Sequence, residues 1–117
     1  MNSSTPGRPF GVKLLLHSTV DGAPESPGHF ELSTRIIRAE SEEEARVIGE
    51  EFGRKAEQSY LNADGETVRW HFDQVLAVFE IMDPLEGQGV EVFSEMRSVS
   101  EFFQWTDSWH SDTPGRT

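Results

Sequence analysis

The run TVRWHFDQVLAVFEIM, Thr67 to Met82, is the longest β-like stretch of the chain, and its apolar residues change side partway along. Val68, Trp70 and Phe72 occupy even positions, whereas Val75, Ala77, Phe79 and Ile81 occupy odd ones. Side chains alternate between the two faces of a strand, so one inserted residue turns everything after it to the opposite face. A bulge near Asp73-Gln74 accounts for the switch and bends the strand there. Length makes a related demand. The residues from Val68 to Ile81 extend about 46 Å at ~3.3 Å each, whereas a helix of about nineteen residues covers about 28 Å at a rise of ~1.5 Å. The helix therefore covers the first part of this strand only. Beyond the bulge, the odd residues either rejoin the same core or form a second apolar surface on the far face.

The flanking segments supply that helix and the rest of a sheet. Gly11 to Val20 alternates as a strand, with Val12, Leu14 and Leu16 on one side and Lys13, Leu15 and His17 on the other. The following DGAPESPG is loop chemistry, and His29 to Ala39 resumes alternation through Phe30, Leu32 and Ile36, so the two runs predict a hairpin. Ser41-Glu42-Glu43-Glu44 reads as a capping box that opens a helix, and its carboxylates complement the positive end of the helix dipole. Ala45, Ile48, Phe52 and Ala56 form an apolar stripe, and Gly49 and Gly53 permit close approach to a sheet. The helix is expected to end near Tyr60, with Asn62 capping it and Asn62-Ala63-Asp64-Gly65 turning into the long strand. Glu66 is expected to pair with Arg69. After the connection Asp83 to Gly89, Val90 to Arg97 reads as a further strand. The expected fold is α+β, a four-stranded, mainly antiparallel sheet in the order ββαββ with one long helix packed on one face. Ser98-Val99-Ser100-Glu101 is a second capping box. With Phe102, Trp105 and Trp109 at helical spacing it predicts a short C-terminal helix, an additional strand being the alternative.

Residues 10–110 read as a single domain between disordered tails at 1–9 and 111–117. A chain of 117 residues is long enough for a core without covalent staples. There is no cysteine, which excludes disulfides, thiolate metal sites and a cysteine nucleophile. Twenty-one acidic residues against ten basic ones give a formal charge of −11, a field that disfavours nucleic acid and anionic lipid and can steer toward a basic protein surface. The N-terminal apolar run is interrupted by Lys13 and no segment approaches a membrane span, so a cytoplasmic protein is expected.

The run Ser59, Tyr60, Asn62, Ala63, Asp64, Gly65, Glu66, Val68, Arg69, Trp70 and Phe72 follows a Glu-rich helix and a two-strand segment, and Val90 to Phe93 adds a V-x-V-F. In these features the chain, from about Val12 to Phe93, resembles the bacterial domain of unknown function 4288 family. The resemblance implies a small single domain of bacterial origin and transfers no catalytic residue. The aromatic segment after Met96 departs from the family pattern.

No phosphate-binding loop, dinucleotide fingerprint, serine-hydrolase elbow or H-E-x-x-H is present. No catalytic residue, metal or cofactor is therefore assigned. Two surfaces remain as candidates. Val75, Ala77, Phe79 and Ile81, with Phe102, Phe103, Trp105 and Trp109, are candidate interface residues, because interface cores are enriched in Phe and Trp. They point to a non-catalytic interaction module, either a homodimer or a partner of a basic protein. His17, Arg69, His71 and Asp73 project to one side of two strands, and their clustering would suit a small hydrolase or metal-dependent enzyme.

Overall fold

The computed structural model describes residues 7–23 and 28–101. Its elements are β1 (Arg8–Val20), β2 (Phe30–Ala39), α1 (Glu42–Lys55), β3 (Gln58–Leu61) and β4 (Thr67–Glu80). All strand pairs are antiparallel, in the spatial order β2-β1-β4-β3. The expected ββαββ order and the antiparallel sheet with a helix on one face hold, but two of the assignments behind them change. The first strand also begins earlier than expected: Arg8 pairs with Ala39 and Pro9 with Arg38, so the ordered sheet reaches into the segment read as an N-terminal tail. Residues 1–6 and the C-terminal tail at 111–117 lie outside the described residues.

β1 is central, and its even side chains build the core. Phe10, Val12, Leu14 and Leu16 are all at most 2% exposed, and Ile37, Ala39, Ala45 and Val75 close around them. Helix α1 starts where the capping box places it. Ser41 Oγ accepts from the Glu44 N–H at 3.1 Å, and Glu44 Oε1 accepts from the Glu40 N–H at 2.6 Å. Its fully buried line is Ala45, Gly49 and Gly53; of the predicted stripe, Ala45 is buried and Ile48 and Ala56 pack against the core, and Phe52 is the member that departs. Phe52 is 39% exposed and sits under the Arg35 guanidinium and the Lys55 ammonium, at 5.2 and 5.7 Å from the ring centroid. The small residues prevail because they let the helix backbone approach the sheet: Gly49 lies on Val12, and Gly53 lies on the Phe72 ring.

The helix stops at Lys55 rather than near Tyr60, because Gln58–Leu61 is strand β3, paired with the start of β4. Tyr60 faces Val68 across the ladder, and the Trp70 Nε1–H donates to Tyr60 Oη at 3.3 Å. Pairing with an aromatic and β-branched strand outweighs the helical continuation, since local propensity is weak against tertiary contacts. Asn62 consequently caps a hairpin and not a helix. Its Oδ1 accepts from the N–H groups of Asp64 and Glu66, both at 2.9 Å, while Gly65 takes φ +80. That backbone angle favours glycine.

Val90 to Arg97 is not a strand. The segment lies on the face of the sheet away from α1, where the Phe93 ring meets Phe79 with centroids 4.9 Å apart, a side-chain contact that needs no ladder, while Val92 and Met96 stay exposed. The second capping box forms as read: Ser98 Oγ accepts from the Glu101 N–H at 3.2 Å and Glu101 Oε1 from the Ser98 N–H at 2.8 Å. Residues 99–101 are helical, and the remainder of the expected helix, with Phe102, Trp105 and Trp109, lies outside the described residues. Among the described residues no helix is long and apolar enough to cross a membrane.

Candidate functional site

The face of the sheet opposite α1 is the surface on which the candidate side chains meet, and the register of β1 decides who stands beside whom. His17 lies between Phe30 and His71, Leu15 between Leu32 and Gln74, Lys13 between Thr34 and Ala77, and Gly11 between Ile36 and Phe79. Directly opposed residues of antiparallel strands share a face. These four rows are therefore one surface, polar toward His71 and apolar toward Phe79.

Strand β4 changes side twice, where one change was expected. Its register against β1 slips between Leu15 and Leu16, which leaves Asp73 as an extra residue, and again between Lys13 and Leu14, which leaves Leu76 as another. The first slip turns Val75 into the core at 7% exposure. The second restores even parity, so that Val78 packs against the core and Ala77 and Phe79 point to the far face. Ile81, just past the strand, is buried at 4% and its N–H donates to the Pro9 carbonyl at 3.0 Å. The odd residues Val75, Ala77, Phe79 and Ile81 thus divide between the core and the far face and do not form one interface. The remaining candidates of that set, Phe102, Phe103, Trp105 and Trp109, lie outside the described residues.

Phe79 is half-buried. Its ring lies against Gly11, where any Cβ would strike it, and meets the Phe93 ring at a tilt of 51°. Next to it Lys13, Thr34, Ala77, Val92 and Phe93 complete a shallow cavity of about 250 Å³.

At the polar end, three of the four predicted residues come together. His17 Nδ1 stands 2.8 Å from Asp73 Oδ2, a hydrogen bond to the carboxylate that the bulge permits by freeing Asp73 from the ladder. The His17 and His71 rings stack with centroids 5.0 Å apart, and His71 Nε2 lies 3.0 Å from Thr19 Oγ1. Arg69 turns away to Asp21 rather than pairing with Glu66, making three N–H···O contacts at 2.9 to 3.1 Å. The hydrogen bond from Arg69 is the main cause holding the Asp21 carboxyl below its ordinary range, and the same pairing raises the guanidinium. With a lowered folded-state pKa, the contribution of Asp21 to stability is present above the ordinary aspartate value and is lost as the pH falls through the lowered one. Both partners are half-exposed, so solvent screening keeps that contribution small. Among the described residues no three His, Asp or Glu side chains stand where they could hold a metal ion. Stacked rings, each engaged with a different neighbour, do not converge on a common point.

The sequence did not show which apolar residues of the second strand this face exposes. Phe30, Leu32 and Ile36, the apolar residues through which the second strand alternates, are 70, 48 and 54% exposed, while Ile37 and Ala39 are buried. The available signal was Ile36-Ile37, which allows either parity, together with a helix too narrow to cover a third strand.

No curated protein and no solved structure matches the chain. Residues 10–94 match the family described as Domain of unknown function (DUF4288), a span that takes in every strand from Phe10 onward, α1 and the segment carrying Phe93. The chain belongs to the DUF4288 family.

Proposed function

We propose that the protein is a non-catalytic interaction module that seats another protein chain against its sheet, as a homodimer or as the acidic partner of a basic protein. The observation that carries this reading is the row Phe30, Leu32 and Ile36 on the outer strand, each about half-exposed or more, on the face that α1 leaves uncovered. Contiguous apolar patches are uncommon on folded monomers and mark contact surfaces. The formal charge of −11 adds steering toward cationic proteins. Light scattering at micromolar concentration is expected to give a mass above that of one chain, or binding of a basic partner, either being lost in Leu32→Asp. A single-chain mass at every concentration, with no partner whose retention depends on Leu32, would remove the module.

A second reading, a small hydrolase or metal-dependent enzyme, is favoured by the His17–Asp73 hydrogen bond beside His71. A carboxylate that orients an imidazole is the pairing used by general bases. Titration with zinc, manganese and nickel discriminates. The metal form requires a rise in melting temperature that His71→Ala abolishes, and an unchanged melt with all three ions sinks it.

A further inference from the structure

We infer that the edge of β2, which no other strand among the described residues covers, pairs with the β2 edge of a second copy of this chain, antiparallel, about a two-fold axis at Ser33. This rests on the interaction-module reading and names its partner and register.

The two edges of the sheet are treated differently. β3 is four residues long, and the part of β4 beyond it is blunted: the Phe72 N–H donates to Glu57 Oε2 at 2.9 Å, the Val75 carbonyl lies 3.5 Å from Arg46 Nη1, and two bulges distort the strand. Such devices keep an edge from pairing with foreign strands. β2 has none of them. It runs ten residues without proline, and its register against β1 is unbroken from Arg8↔Ala39 to His17↔Phe30.

The phase of its hydrogen bonds follows from one contact. The Ser18 N–H donates to the His29 carbonyl at 2.8 Å, so residue 29 and the odd residues after it direct their backbone groups toward β1. Phe30, Leu32, Thr34, Ile36 and Arg38 therefore direct theirs to the open edge, and no hydrogen bond among the described residues engages them from that side.

A two-fold axis perpendicular to the sheet sets even residues against even and odd against odd, which limits the registers to a few. With Ser33 opposite its own copy, Glu31 faces Arg35 on the helix side, while Phe30 faces Ile36 and Leu32 faces Thr34 on the far side, each pair occurring twice. Centring on residue 31 or 35 instead opposes Glu to Glu or Arg to Arg. Centring on 32 or 34 pairs no opposite charges. The Ser33 register alone is complementary in charge and joins apolar residues to one another, the pattern that stabilises cross-strand neighbours. Glu31 and Arg35 are also available for it. Neither has an ion-pair or hydrogen-bond partner among the described residues, and the Arg35 guanidinium is held over the Phe52 ring. The four paired rows supply about eight main-chain hydrogen bonds, and the two apolar far faces become continuous.

The chain contains no cysteine, so one introduced thiol reports one position. In the Ser33→Cys protein the two thiols face each other in a non-hydrogen-bonded pair, with Cα atoms about 4.5 Å apart, inside the range a disulfide spans. Mild oxidation is expected to give a covalent dimer at least about tenfold faster than in Thr34→Cys. By equilibrium sedimentation, Glu31→Arg is expected to weaken association about tenfold or more, and the exchange E31R with R35E to restore it. A dimer that neither crosslinks at residue 33 nor responds to the exchange overturns this pairing while leaving the interaction module standing. A monomer overturns it outright, and the module then depends on a basic partner. If the monomer dimerises only when residues after 101 are deleted, the edge belongs to the chain's own C-terminal segment instead.

Discussion

Phe10→Ala is expected to lower the free energy of unfolding by about 3–5 kcal/mol, the range for truncating a buried aromatic side chain. Phe10 is 1% exposed and is the largest of the fully buried side chains. It sits on the central strand with Ile37 opposite on one side and Glu80 on the other, so the space it vacates is bounded by ladder backbone that cannot close in. The exposed Arg8, whose guanidinium lies 5.3 Å over the ring, has room to lean into the gap, which places the loss toward the lower end. Set against the 5–15 kcal/mol of a typical small domain, taken as a rough total, this is a large share. Urea unfolding followed by circular dichroism measures it. With a slope of about 1–3 kcal/mol per molar, the midpoint drops by roughly 1–3 M. Leu32→Ala, on the exposed edge, is expected to stay within about 0.5 kcal/mol of the parent at concentrations where the protein is monomeric. Equal midpoints for Phe10→Ala and the parent would mean that the core does not centre on β1.

The second large effect tests why two glycines stand in the only long helix among the described residues. On helix propensity alone Gly53→Ala stabilises by about 0.5–1 kcal/mol. Geometry gives the opposite sign. A Cβ at residue 53 enters the Phe72 ring, which is itself packed against the core, and overpacking of that kind costs about 1–3 kcal/mol. A net destabilisation is therefore expected, growing in Gly53→Val. Combining Gly53→Ala with Phe72→Leu should recover much of the loss, because the smaller side chain vacates the space the new methyl needs. The double-mutant cycle isolates that coupling. A stabilised Gly53→Ala would show that α1 stands farther from the sheet than described, with propensity deciding the outcome.

Legibility from sequence followed the range of the interaction. The start of α1 was readable to the residue, because the capping box is completed within four positions of chain, and the same holds for Ser98 and Glu101. The β1–β2 hairpin and the inward set Val12, Leu14 and Leu16 were readable because only one parity of β1 was continuously apolar. The end of α1 was not. Gln58 to Leu61 carries no local instruction that outranks continued helix, and its partners are the first residues of β4. The second bulge was illegible for a related reason. Ala77, Val78 and Phe79 are apolar on both parities, so nothing in the alternation reveals a return to the original side.

For the candidate site, the sequence by itself determined that His71 and Asp73 occupy one parity of their strand and His17 the odd parity of another, and that no thiol chemistry is available. It determined the acidic charge as well. Only the tertiary structure decided that Asp73 meets His17 while Arg69 leaves for Asp21, that Val75 and Phe79 part company, and that the second strand presents Phe30, Leu32 and Ile36 to the outside. The physical reason is that a strand's alternation records two faces without saying which is covered. That choice belongs to a helix of fourteen residues, roughly 21 Å long, and to where its small-residue line allows it to rest on a wider sheet.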